Sequence, residues 1–203
     1  MMTLQTIGRV LTCALLCVLW VSAPLAAQEP LGAAELESMI SELPAQELSA
    51  KEIRQLRYFL EAQKLLRDVY AKFYTRWHLH DFQKFKRTKH RQLQAWLHLF
   101  EKYDLSPALE LQSFGLFSNN TLQKLYTNFT MTGRLSLFEA LRTSATMEDL
   151  NIYTAFDFLG LTDNQDIKLT CRTMALTSRN NLQEITALLD SYGEELGGNI
   201  WMW

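Results

Sequence analysis

Apolar residues recur at intervals of three and four in four separate stretches of this chain, and each stretch reads as a long amphipathic helix. The first carries Leu56, Phe59, Leu66, Tyr70, Phe73 and Trp77 behind a Ser49/Glu52 pair with the spacing of a capping box. The second starts near Asp81, carries Phe82, Phe85, Trp96, Leu99 and Tyr103, and ends before Ser106-Pro107. The third spans about Ser136 to Leu159, with Asn151 as a candidate break. After the cap-like Thr162-Asp163, a fourth carries Ile167, Cys171, Met174, Ile185 and Leu188 as far as Tyr192, where Gly193 is placed to stop it. Between the second and third lies a connection with a shorter helix over Asn120 to Thr130, long enough to run from one end of a bundle to the other. No strand pattern, Gly-rich phosphate loop or internal repeat accompanies them. The expected fold is therefore all-α, a four-helix bundle with a long helical connection between helices two and three.

The stripes are interrupted by polar residues near the middle of every helix. Gln63 falls on the buried line of the first, Lys89 and Gln92 on the second, Ser144, Glu148 and Asn151 on the third, Ser178 and Asn181 on the fourth. A polar group buried without a partner costs about 1–3 kcal/mol, so coincident interruptions are best satisfied by one another. The alternative is that they sit at the stripe edges, half exposed and solvated. A metal centre at such a point calls for carboxylates and imidazoles, typically as Glu-x-x-His on facing helices. This inward set holds one carboxylate, Glu148, and one ammonium, Lys89, nearly balanced without a metal. His78, His80, His90 and His98 lie beside the lines, none with Glu three residues before it.

Length and composition suit one substantial core: 203 residues, 48% hydrophobic, with only four Pro and eight Gly. Arg9, the apolar run Val10 to Val21 and the small residues Ala23, Ala26 and Ala27 have the layout of a secretory signal peptide, expected over 1–27. Leu25 makes the cleavage site imperfect, and an uncleaved anchor is the alternative. Cleavage would remove Cys13 and Cys17 and leave Cys171 alone, so no intramolecular disulfide is expected. It would also leave 19 basic against 22 acidic side chains, a net charge of −3 that argues against a nucleic-acid partner. The run Lys84, Lys86, Arg87, Lys89, His90, Arg91 offers a nucleic-acid or anionic-lipid patch as an alternative, but helical spacing spreads it around the helix and points Lys89 inward, so the rest reads as a solvated face. A leader follows over 28–47 with a short helix near Ala34 to Leu43, then the bundle over 48–192 and a Gly/Trp tail over 193–203.

The segment Lys64-Leu65-Leu66-Arg67-Asp68-Val69-Tyr70 resembles the K-L-x-R-D-V-Y signature of a ferritin-like family catalogued as domain of unknown function 2202. Phe100-Glu101-Lys102-Tyr103, Gly115-Leu116-Phe117, Leu122-Gln123-Lys124-Leu125-Tyr126, Gly133 with Ser136-Leu137, and Ser178-Arg179-Asn180 extend the resemblance in order over Leu48 to Asp190. It implies a ferritin-like bundle with metal ligands, and those positions, the retained Glu148 excepted, fall here on changed residues. An acidic position before the signature appears as Gln63, a Glu-x-x-His as Lys89 and Gln92, an acidic pair as Glu148 and Asn151, and a His as Asn181. A Lys in place of a liganding Glu puts a cation where a divalent metal would be held.

The expectation is a metal-free ferritin-like scaffold, exported to the periplasm or beyond, with a binding or structural role in the cell envelope, no cofactor and no catalytic residue. Lys89 is expected to pair with Glu148 and to hydrogen-bond Gln63, Gln92 or Asn181. The alternative is a residual metal-binding or oxidoreductase-type protein holding iron or another divalent metal at a displaced site, with Glu148 joined by Glu61, Asp68 or His90. The expected partner is a protein or other envelope component, and Trp201, Met202 and Trp203 form a candidate interaction tail that either docks on it or folds back on the bundle. Membrane contact is expected only through an uncleaved signal or that tail.

Overall fold

The computed structural model describes residues 31–107 and 113–195; the segment expected to be a signal peptide and the tail residues Trp201, Met202 and Trp203 lie outside them. Among the described residues there are six helices and no strand: α1 (Ala33–Glu42), α2 (Ala50–Trp77), α3 (His80–Lys102), α4 (Asn120–Gly133), α5 (Leu137–Leu159) and α6 (Gln165–Glu195). None of them is long and apolar enough to cross a membrane. α2 starts at the expected capping box: the Ser49 hydroxyl accepts from the Glu52 N–H, and the Glu52 carboxylate accepts from the Ser49 N–H. It ends where His78 adopts a left-handed conformation with φ of 56° and turns the chain directly into α3. The hairpins α2–α3 and α5–α6 pack against each other, α4 covers the seam between α2 and α5, and α1 covers the opposite seam between α3 and α6.

Three features depart from the sequence expectation. α5 runs through Asn151 unbroken, because that side chain bonds across the bundle instead of competing for its own backbone. α6 passes through Gly193 to Glu195; one helical Gly costs about 1 kcal/mol relative to Ala, too little to end so long a helix. The segment read as a leader contributes α1 to the core, with Leu36 and Ile40 buried, and the Lys102 ammonium ties it down by donating to the carbonyls of Ile40 and Leu43 at 2.6 Å each and pairing with Asp166 at 2.6 Å.

The apolar interior falls into two clusters. One is built around the stacked rings of Phe59, Trp96 and Phe158, with centroids 5.2 and 5.3 Å from Phe59. The other is built around Tyr70, Phe73, Phe82 and Phe85. The polar residues that break each stripe lie between them.

The long connection is clamped to α2. Asp68 accepts from the backbone N–H of Gly115 at 3.0 Å, and Lys64 donates to Asp68 at 2.8 Å and to the Leu116 carbonyl at 3.0 Å while lying 4.1 Å from the Phe117 ring. Gly115 has φ of +73°, and a Cβ there would stand 2.8 Å from the Tyr126 hydroxyl, so both conformation and space demand glycine. At Gly133 a Cβ would collide with the Phe73 ring, while the Gly133 carbonyl accepts from the Trp77 indole at 2.8 Å. Gly133→Ala is accordingly expected to cost about 2 kcal/mol or more in chemical denaturation, the cost of overpacking a filled core; wild-type stability would show that Phe73 gives way.

Glu52 links the start of α2 to the α5–α6 turn, accepting from Thr162 and Asn164. Burial alone raises its pKa, but hydrogen bonds from Thr162, Ser49 and Asn164 outweigh it and hold the carboxyl at about 2, against an ordinary 4.5. A depressed folded-state pKa stabilises the protein fully above the unfolded value and is lost as pH falls through the folded one. Glu52→Gln should therefore lose less stability than the unmutated chain between about pH 5 and 2, measured by denaturant midpoints across that range.

Candidate functional site

Each long helix delivers polar side chains to one level of the bundle. Gln63 comes from α2, Lys89 and Gln92 from α3, Glu148 and Asn151 from α5, and Ser178 and Asn181 from α6. None is more than 8% exposed, and Lys89 and Glu148 are wholly buried. The half-exposed alternative is thereby excluded for these seven positions and for Ser144, which is also wholly buried.

At the centre, the Lys89 ammonium lies 2.6 Å from Glu148 Oε2 and donates to Ser178 Oγ at 2.9 Å. The other carboxylate oxygen accepts from the Tyr70 hydroxyl at 2.7 Å and from Asn181 Nδ2 at 3.0 Å. Asn151 Nδ2 donates to the same Ser178 hydroxyl at 2.7 Å, while Asn151 Oδ1 accepts from Gln63 Nε2 at 2.8 Å. Gln63 Nε2 also lies 2.9 Å from Met174 Sδ, and Gln92 Nε2 lies 3.4 Å from the Met174 carbonyl. One connected network thus joins all four long helices.

The expected Lys89–Glu148 pair is present, but its surroundings differ from the expectation. The remaining direct partner of Lys89 is Ser178, and Asn181 and Tyr70 bond the carboxylate. Gln63 and Gln92 belong to the neighbouring layer, where they meet Met174. Tyr70 was legible only as an apolar member of its stripe, although it closes the K-L-x-R-D-V-Y segment two helical turns after Gln63. Ser144 bonds the Ala140 carbonyl of its own helix at 2.8 Å.

Burial pulls the Lys89 pKa down, opposed by the charge and hydrogen bond of Glu148. Burial, and then the Glu148 charge and hydrogen bond, raise the Tyr70 phenol well above its ordinary value, so it serves as a donor. These residues do not fit a divalent metal. Their single carboxylate is already shared among an ammonium, a phenol and an amide, and the ammonium stands beside it; a divalent ion in such an oxygen-rich core needs several anionic ligands. The network leaves Gln63 Oε1, Gln92 Oε1 and Trp96 Nε1 without a hydrogen-bond partner among the described residues.

The groups considered for a displaced metal site are committed elsewhere. Glu61 accepts from the Ser118 hydroxyl and from the Asn119 N–H at 3.1 Å. Asp68 is held by Lys64, Arg67 and Gly115, and His90 is exposed. No group of three or more His, Cys, Asp or Glu among the described residues is placed to hold a metal ion. The Cys171 thiol is buried, and burial pushes its pKa up, leaving it unreactive as a thiolate. In the basic run, Lys84 pairs with Glu184 at 2.7 Å and Lys89 points inward, while Arg87, His90 and Arg91 are exposed.

Residues 52–199 match the model of a family described as an uncharacterized protein domain, DUF2202. The chain is 34% identical over 154 residues to an uncharacterized protein of Methanocaldococcus jannaschii, MJ0754, spanning 76% of this chain and 83% of that protein. The crystal structure of MJ0754 superposes with a TM-score of 0.73 over 75% of this chain and 87% of that one. A DUF305 fragment from Deinococcus radiodurans, 12% identical, has a TM-score of 0.53 over 72% of this chain and 99% of its own, a likeness of fold alone.

Lys89→Met would strand a buried carboxylate and is expected to cost about 3–5 kcal/mol in denaturation at neutral pH, whereas Lys89→Met with Glu148→Gln recovers much of that loss. A cost below about 1 kcal/mol for the single change would show that water reaches the pair. Gln92→Met removes an unpaired oxygen and should be neutral or stabilising.

Proposed function

We propose, on the premise that this chain belongs to the DUF2202 family, that it is a metal-free scaffold of ferritin-like architecture, exported and serving a binding or structural role in the cell envelope. Support for the ferritin-like reading comes from two long-helix hairpins joined by a connection that carries a helix of its own, a topology shared by ferritin-like bundles. Support for export comes from the N-terminal sequence, with Arg9, the apolar run Val10 to Val21 and the Ala26-Ala27 pair.

The observation that carries the metal-free reading is the 2.6 Å contact between Lys89 and Glu148. Lys89 stands where the family resemblance calls for a liganding glutamate. Its ammonium supplies the positive charge that such a core otherwise takes from a metal, and Glu148, Ser178 and the network around them satisfy it. With its polar core committed to holding the helices together, the protein acts through its surface.

Elemental analysis of the purified chain after dialysis tests this reading. The unmutated protein should carry iron and other divalent metals far below one ion per chain. Lys89→Glu with Gln92→His, which restores a Glu-x-x-His across α3, should raise metal uptake. Tight stoichiometric metal in the unmutated protein would overturn the reading.

A further inference from the structure

The outer face of the α5–α6 hairpin carries large exposed apolar side chains that neither flanking helix covers. Tyr153 is 70% exposed and Phe156 47% exposed. Beside them, an apolar groove between the two helices is lined by Ile152, Phe156, Leu176 and Leu182, with Arg172 and Arg179 at its rim. α4 lies against the other side of α5, around Met147, Leu150 and Thr154, and α1 against the far side of α6, around Thr173 and Thr177.

The register of the hairpin decides what this face fits. Hydrogen bonds from Asn151 to Ser178 and from Asn181 to Glu148 set the antiparallel pairing. Tyr153 is therefore level with Leu176, Asp157 with Arg172, and Asp149 with Asn180, beside Arg179. At about 1.5 Å of rise per residue, Asp149 and Asp157 lie roughly 6 Å on either side of Tyr153, and Arg172 and Arg179 straddle Leu176 in the same way. All four charged side chains are exposed, and none makes an ion pair among the described residues.

A two-fold axis lying in the face, parallel to the hairpin and midway between its helices, keeps every level and lays α5 of one copy along α6 of the other. Asp149 then meets Arg179 of the second copy, Asp157 meets Arg172, and each pair occurs twice. The Tyr153 and Phe156 rings fall at the centre, over the groove. An isologous interface requires a patch complementary to itself under such a rotation, with aromatic and Arg side chains as its usual anchors.

We propose that this face is a homodimer interface, the α5–α6 hairpin docking on the same hairpin of a second copy. The inference stands independently of the metal-free reading of the core. Sedimentation velocity of the purified chain from about 1 to 100 µM tests it, a range that brackets micromolar association. The expected result is a reversible dimer. Asp149→Arg should raise its dissociation constant roughly tenfold or more by setting like charges opposite each other, and Asp149→Arg with Arg179→Asp should restore association. Phe156→Asp should leave a monomer, with helical circular dichroism unchanged in every variant. A chain that stays monomeric across the range overturns the proposal, whether the face is covered by an apolar ligand or by the chain's own C-terminal residues. So does a dimer indifferent to Asp149→Arg and Phe156→Asp, or one that the double charge reversal fails to restore.

Discussion

A charge taken out of water must be paired and hydrogen-bonded where it lands, and the interior of this bundle is arranged around that requirement at Lys89 and Glu148. The pair sits on α3 and α5, and its remaining bonds come from Tyr70 on α2 and from Ser178 and Asn181 on α6. A slip of any one long helix along its axis would remove a partner and leave a buried charge short of hydrogen bonds. Apolar layers above and below tolerate exchange of shape for shape, whereas the polar layer has one satisfactory register. Such a pair adds little net stability against hydrophobic residues of the same volume; what it provides is a single alignment of four helices.

The signature segment on α2, which follows the ligand-equivalent Gln63, has a structural part of its own. Lys64 and Asp68 face the connection, where they hold Gly115, Leu116 and Phe117 in place, while Tyr70 bonds the central Glu148 carboxylate. Motif pieces far apart in the sequence are thus neighbours in space, since the ring of Tyr126 packs 5.3 Å from Phe117 and stands against Gly115. Arg67 screens the Asp68 carboxylate from the solvent side at 2.7 Å. A long connection held this way can cross the outside of the bundle without leaving its backbone groups unpaired.

The four long helices and the level of the polar layer were legible because both follow from a 3.6-residue period, which a single sequence displays directly. Each of Gln63, Lys89, Gln92, Glu148, Asn151 and Asn181 could be placed inward from its neighbours alone. The pairing within the layer was legible only for Lys89 with Glu148, the sole opposite charges present. Ser178 and Tyr70 entered through side-chain length and the relative height of the helices, neither of which periodicity encodes. α1 was undervalued for a related reason: its anchor is the Lys102 ammonium on its backbone carbonyls, a contact that leaves no pattern in the α1 sequence itself.

The ammonium at the centre is also covalently part of the chain. A positive charge supplied by a side chain is delivered by translation, in the right number, before folding begins. It cannot be stripped by a chelator, exchanged for a competing ion or altered by oxidation state. On the proposed metal-free reading, assembly of this core needs no loading step and proceeds alike in surroundings rich or poor in trace elements.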